Sequence, residues 1–181
     1  EIFGLKPDMD TVLVFGGSLG AMTINRAIEN VLANFKDKNI QFLWQTGKEY
    51  APILNKLPNV KIFPFIDDMA SAYAASDLVV ARSGATTVAE IAVCGKPSIL
   101  IPLPSASNNE QEENARIFQK EKASVMLLNN EAVAKLTGII EMYINDKNLL
   151  NEMEKAAKSL SKPNAAEDAA KNILDIINSK S

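Results

Sequence analysis

Six short apolar runs rich in β-branched residues, each separated from the next by a longer connecting segment, constrain the fold of this chain more than any other feature. They are Thr11–Phe15, Ile40–Gln45, Val60–Pro64, Leu78–Ala81, Ser98–Ile101 and Ala123–Leu127. Each is too short for a buried helix and reads as apolar on both faces, as strands do in a sheet covered by helices on both sides. Two of the connecting segments have helical period. Met22–Phe35 puts Ile24, Ile28, Val31, Leu32 and Phe35 on one face, and Ala85–Cys94 stops at Gly95 ahead of Lys96-Pro97. After the sixth run, Glu131–Ile144, Lys147–Leu160 and Asn164–Asn178 read as three consecutive helices. The last has Pro163 at its entrance, with Ala169, Ile173, Ile176 and Ile177 expected to face inward. The expected fold class is α/β: a Rossmann-like, doubly wound parallel sheet of about six strands, with a helical tail from about residue 131, in one domain over 1–181.

Composition excludes several kinds of function. With 19 Lys and Arg against 22 Asp and Glu, the net charge is −3, and no basic block offers a grip on nucleic acid or an anionic membrane. Nucleic acid is therefore not an expected partner. Histidine is absent, which removes the commonest general base, the commonest metal ligand and every Ser-His or Cys-His pair. The single cysteine, Cys94, forms no internal disulfide or thiolate zinc site and is expected to be a small buried apolar residue of a cytosolic protein. No basic-then-apolar leader opens the chain, and no apolar run approaches the ~18–20 residues that span a bilayer. Neither signal peptide nor transmembrane helix is expected. The chain starts without Met just ahead of its first strand, so a piece of a longer polypeptide is the expectation.

The chemistry gathers where strands run into helices. The first strand leads into Gly16-Gly17-Ser18-Leu19-Gly20-Ala21, a glycine-rich turn at the carboxyl end of a central strand, where open α/β sheets bind ligands. Glycines let the backbone approach a ligand closely, and the N–H groups that open the next helix attract a phosphate or pyrophosphate. No Gly-Lys-Ser/Thr follows and the spacing departs from the dinucleotide fingerprint, so a tight turn without a ligand is the plain alternative. A second turn, Ala81-Arg82-Ser83-Gly84-Ala85-Thr86-Thr87, leads into a helix bearing Glu90, a candidate acceptor for both hydroxyls of a ribose. The alternative has Ser83 or Thr86 as a helix cap and Glu90 as an acid complementing the helix dipole. Phe65-Ile66-Asp67-Asp68-Met69 is either a helix start capped by Asp67 or Asp68 or a wall that receives a flat base. The long polar loop Pro102–Glu113, with Ser105, Ser107, Asn108, Asn109, Glu110 and Gln111, offers donors and acceptors for sugar hydroxyls or is simply a surface loop.

Taken together, the glycine turn, Gln45-Thr46-Gly47-Lys48, Phe65-Ile66-Asp67-Asp68-Met69, Arg82 to Glu90, and Asn109-Glu110-Gln111 with Asn114-Ala115 resemble the carboxyl-terminal half of the MurG family of bacterial glycosyltransferases, in order and over nearly the whole chain. The resemblance implies one half of a GT-B architecture and a role in transferring N-acetylglucosamine from UDP-N-acetylglucosamine to lipid-linked muramyl-pentapeptide, at the inner face of the cell membrane. It places Ser18 and the turn of Gly16, Gly17 and Gly20 at the pyrophosphate, the Ile66 backbone at the uracil beside Phe65, and Glu90 at the ribose. Arg82 and Thr87, on either side of the Ser83-Gly84-Ala85-Thr86 turn, would lie with it along the diphosphate region, Met69 would line the pocket, and Asn109, Glu110 and Gln111 would reach the sugar. Glu110 departs from the His or Gln usual there and accepts hydrogen bonds without donating.

The resemblance further implies that no metal or other cofactor is needed to hold the donor, and that displacement at the anomeric carbon proceeds with inversion. The catalytic base and the lipid-linked acceptor would belong to an absent amino-terminal domain, so this chain alone is expected to be inactive. The alternatives are a soluble subunit of a split UDP-N-acetylglucosamine transferase, a diacylglycerol glycosyltransferase using UDP-glucose or UDP-galactose, and a noncatalytic nucleotide-binding module.

Overall fold

Along the first strand, β1 (Asp10–Phe15), side chains alternate between two separate cores, and that alternation organises the molecule. Val12 and Val14 enter one core with α1 (Met22–Asn34) and α5 (Ala132–Ile144). Leu13 and Phe15 enter the other with α2 (Met69–Ala74), α3 (Ala85–Cys94) and α4 (Glu110–Lys120). A further helix, α6 (Lys147–Ser159), contributes Leu150 to the first core and Ala157 to the second. Its start is capped by Asp146, which accepts from the Asn148 and Leu149 amides. The computed structural model describes residues 2–35, 38–53 and 57–178.

Between the helical layers lies a six-stranded, wholly parallel sheet, with β2 (Ile40–Gln45), β3 (Val60–Phe63), β4 (Leu78–Ala81), β5 (Ser98–Leu100) and β6 (Ser124–Met126) in the order β3-β2-β1-β4-β5-β6. The expected doubly wound α/β fold is what forms. Because every strand runs the same way, the loops that leave the carboxyl ends of the strands all open on one edge. The strand order reverses between β1 and β4, the place where such sheets open a crevice. A buried polar chain fastens α1 to the end of β2: the Trp44 indole donates to Asn25 Oδ1 at 3.1 Å, and Asn25 Nδ2 donates to the Thr46 carbonyl at 2.9 Å.

Several expectations are corrected. Apolar burial on both faces holds for β1, β2, β4 and β5. It fails for β3, where Lys61 is half-buried and Ile62 is exposed, and it is incomplete on β6, because both are edge strands. The helix start that was one of two readings of Phe65–Met69 does form, and one further helix was not expected. At six residues α2 is too short to display a period, and α4 is polar enough to read as loop, burying only Ala115 and Phe118. Asp68 does cap α2, accepting from the Ser71 amide at 3.0 Å, and hydrogen bonding from the Ser71 side chain, with the amide second, lowers its carboxyl from the ordinary value. At α3 neither Ser83 nor Thr86 is the cap; the position belongs to Gly84. Cys94 is half-buried rather than buried, because it ends α3 on the side that lines a groove against α2.

The inward face expected for the last helix, α7 (Ala165–Asn178), is not formed. Its side chains from Ala165 to Ile177 are exposed, Ile173 and Leu174 at 59% and 57%.

Candidate functional site

Four helices begin without a capping side chain, among them α4 after Asn109 and α5 after Glu131; the two that begin where the strand order reverses are α1, after Ala21, and α3, after Gly84. They lie on opposite faces of the sheet, so their first-turn N–H groups and positive dipole ends address one crevice between the ends of β1 and β4. In contrast, α2 and α6 begin on aspartates. Two open helix starts at one edge form a site for an anion of phosphate type.

The glycine turn is built around that opening. Gly20, at φ +78°, and Gly47, at φ +85°, lie back to back, so close that a Cβ on Gly20 would stand 2.2 Å from the Thr46 carbonyl oxygen. Gly17, at φ +90°, instead faces open space, with nothing within 4 Å of where a Cβ would lie, and the Gly84 position is equally open. The turn is locked from behind and clear in front.

Gln45, at the end of β2, ties this turn to the neighbouring loop. Its Nε2 donates to the Gly17 carbonyl at 3.0 Å, and its Oε1 accepts from the Ile66 amide at 2.8 Å. Nothing in the sequence around Gln45 marks it for this task. Ile66 is buried beneath the loop while Phe65 beside it is 43% exposed, an accessible ring face. A cleft of about 600 Å³ lies between the two loops, lined by Ser18, Leu19, Lys48, Glu49, Phe65 and Asp67. Lys48 brings a cation to the wall that carries Ser18, and it too was without an assigned task.

The second turn divides its side chains. Arg82 is 9% exposed and turns inward, its Nη1 donating to the Ile101 and Pro102 carbonyls at 2.9 and 3.1 Å and to Asn129 Oδ1 at 2.8 Å. Burial lowers its guanidinium from the ordinary value. Ser83 is fully buried, donating from Oγ to the Gln111 carbonyl at 2.7 Å while its own carbonyl accepts from Asn114 Nδ2 at 3.0 Å. These bonds clamp the start of α4 onto the β4–α3 turn. Outside the clamp, Thr86 is exposed and Thr87 and Glu90 are half-buried, with Thr86, Glu90 and Met69 lining a groove of about 320 Å³ between α2 and α3.

In the sugar-facing segment, Asn108 and Asn109 both adopt left-handed backbone, at φ 52° and 56°, to turn the chain into α4. Glu110 is exposed in the first turn of that helix. Gln111 Oε1 accepts from the Leu103 amide at 3.0 Å, which leaves its Nε2 as the free hydrogen-bonding end. The candidates are divided among three concavities: Ser18 with Phe65, Met69 with Thr86 and Glu90, and Asn109 beside Pro102 and Asn129. A separate cavity of about 560 Å³ between α4, β6, α5 and α6 contains none of them. Among the described residues no group of three or more carboxylate, thiol or imidazole side chains is placed to hold a metal ion, and no helix is long and apolar enough to cross a membrane.

Residues 11–173 match the glycosyltransferase family 28 C-terminal domain. The chain is 38% identical over 96% of its length to a protein of Bacteroides thetaiotaomicron named UDP-N-acetylglucosamine--N-acetylmuramyl-(pentapeptide) pyrophosphoryl-undecaprenol N-acetylglucosamine transferase, of which it covers 49%. A protein of the same name from Acetivibrio thermocellus is 41% identical over 98% of the chain, which covers 50% of it. The crystal structure of Acinetobacter baumannii MurG superposes with a TM-score of 0.80 at 28% identity, over 94% of this chain and 51% of that one. The chain spans about half the length of the curated relatives it matches.

Proposed function

The chain belongs to the family of glycosyltransferase family 28 C-terminal domains, and from that premise we propose that it is the donor-binding half of an inverting transferase that moves N-acetylglucosamine from its UDP conjugate to a lipid-linked muramyl-pentapeptide. The observation that carries the reading is the pair of uncapped helix starts at the strand-order reversal, beside a turn with clear space in front of Gly17.

In this reading the diphosphate lies across the starts of α1 and α3, held by backbone N–H groups of the Gly16–Gly20 turn, by the Ser18 hydroxyl and by Thr86 and Thr87. Lys48 adds a nearby positive charge. The base stacks on Phe65. Gln45 already engages the Ile66 amide, which leaves the Ile66 carbonyl to accept from the uracil imide N–H. Glu90 accepts the ribose hydroxyls, and Asn109, Glu110 and Gln111 meet the sugar, with Gln111 Nε2 donating. Arg82 serves the site indirectly, by holding the loop after β5 under the second turn.

As the anomeric bond breaks, negative charge grows on the leaving diphosphate. Preorganised N–H groups at two helix starts stabilise that charge most strongly in the transition state, and they do so without a metal ion. The catalytic base and the acceptor site belong to the other half of the longer protein, which acts at the cytoplasmic face of the membrane.

Replacing Ser18 by Val tests the diphosphate assignment. The affinity for UDP is expected to fall about fivefold, the weight of one hydrogen bond to a charged group partly replaced by water, with uridine binding unchanged. Calorimetry with the two ligands reads the difference, and equal losses would remove Ser18 from the diphosphate.

A further inference from the structure

The ribose-facing carboxylate is held before any ligand arrives. Glu90 lies half-buried on α3, and its Oε2 accepts a hydrogen bond of 3.0 Å from the Tyr73 hydroxyl on α2. Tyr73 is only 2% exposed, and its ring stands edge-on to Phe15 with centroids 6.0 Å apart and planes at 85°. Its backbone is fixed as well, since the Tyr73 carbonyl accepts from Ser76 Oγ at 2.9 Å and the Ser76 carbonyl accepts from Lys96 Nζ at 2.7 Å. A glutamate on a helix surface ordinarily samples several rotamers, and ordering them costs free energy when a ligand binds. Here a ring locked in the core removes that freedom in advance. Burial and the adjoining carboxylate together push the phenol above its usual range, so the hydroxyl remains a donor.

We propose that Tyr73 is a positioning residue for ribose recognition: by occupying Oε2 it fixes the Glu90 carboxylate with Oε1 directed to the vicinal hydroxyls of the nucleotide. The proposal rests on the reading of Glu90 as the ribose acceptor. Two hydroxyls on adjacent carbons present donors close enough to share one carboxylate, provided that carboxylate is held in one orientation. Tyr73 acts only through Glu90 and touches no ligand, so removing its hydroxyl affects ligands that carry ribose hydroxyls and no others. A merely structural role would weaken every ligand alike.

The test is calorimetric titration of the chain and its Tyr73→Phe variant with UDP and with 2′,3′-dideoxy-UDP. Phenylalanine keeps the buried ring and its contact with Phe15, so the variant keeps the fold, and its melting curve verifies this. The parent chain is expected to bind UDP more tightly than the dideoxy analogue; equal binding would overturn the reading of Glu90 and the proposal with it. Given that preference, Tyr73→Phe is expected to weaken UDP about fivefold, the size of one net hydrogen bond, and to leave the dideoxy analogue unchanged. Equal weakening of both ligands, or none of UDP, would overturn the role of Tyr73 and leave Glu90 in place.

Discussion

Gly20→Ala is expected to destabilise the domain by about 3 kcal/mol, from backbone strain and steric overlap together. At φ +78° an L side chain is strained, and its Cβ would stand 2.2 Å from the Thr46 carbonyl oxygen and 3.1 Å from the Gly47 Cα. Neither neighbour has room to retreat. Thr46 is buried, its carbonyl accepts from Asn25 Nδ2, and Asn25 is in turn bound by Trp44. Gly17→Ala provides the comparison, because Gly17 shares the positive φ and has nothing within 4 Å of the new Cβ. It is expected to cost about 1 kcal/mol, the conformational term alone. Urea denaturation of both variants measures the two costs. Equal losses would mean that the packing of Gly20 against the end of β2 contributes nothing and that the two turns are not locked together.

Glu90→Ala is expected to weaken UDP binding by about 1.5–3 kcal/mol, roughly 10- to 150-fold, the range for a lost charge-assisted hydrogen bond. The same change takes the acceptor from the Tyr73 hydroxyl, so folding stability is expected to fall as well, by about 1 kcal/mol, since the ring is nearly buried while its hydroxyl lies where water reaches the groove. Calorimetry and urea denaturation of the same preparation separate the two effects. Unchanged UDP affinity in a folded Glu90→Ala variant would take the ribose away from this carboxylate.

The strands were legible where burial is complete. In β1, β2 and β4 the apolar runs needed no alternation to be recognised, because helices cover both faces. The same rule overread β3 and β6, since nothing in Val60–Phe63 announces that its outer neighbour is solvent. Helix α4 was missed for want of an apolar stripe, although Glu110, Glu112 and Glu113 crowd its first turn, an acidic start that a helix dipole favours and that would have revealed it. The apolar residues of α7 were legible as a stripe, but a stripe does not say which body it covers, and this domain leaves it exposed.

At the site, the turns could be read and the directions of side chains could not. Glycines at Gly16, Gly17 and Gly20 mark a sharp bend at a strand end in any sequence. No local pattern reveals that Arg82 bonds to carbonyls 19 and 20 residues away, or that Ser83 clamps Gln111 from 28 residues away. Gln45 and Tyr73 went without a task for the same reason: each acts through a partner brought near only by the fold, Ile66 and Gly17 for one and Glu90 for the other.

The central claim is that this chain is a metal-independent binding site for a uridine diphosphate sugar. Calorimetric titration of the chain with UDP in the presence of EDTA, followed by displacement with UDP-N-acetylglucosamine and with UDP-glucose, tests it most directly. The account predicts saturable binding at one site, unchanged by EDTA, with the N-acetylglucosamine conjugate displacing UDP more effectively than the glucose conjugate. A folded chain that takes up no UDP at millimolar ligand, or binds it only when a divalent cation is supplied, would contradict the account.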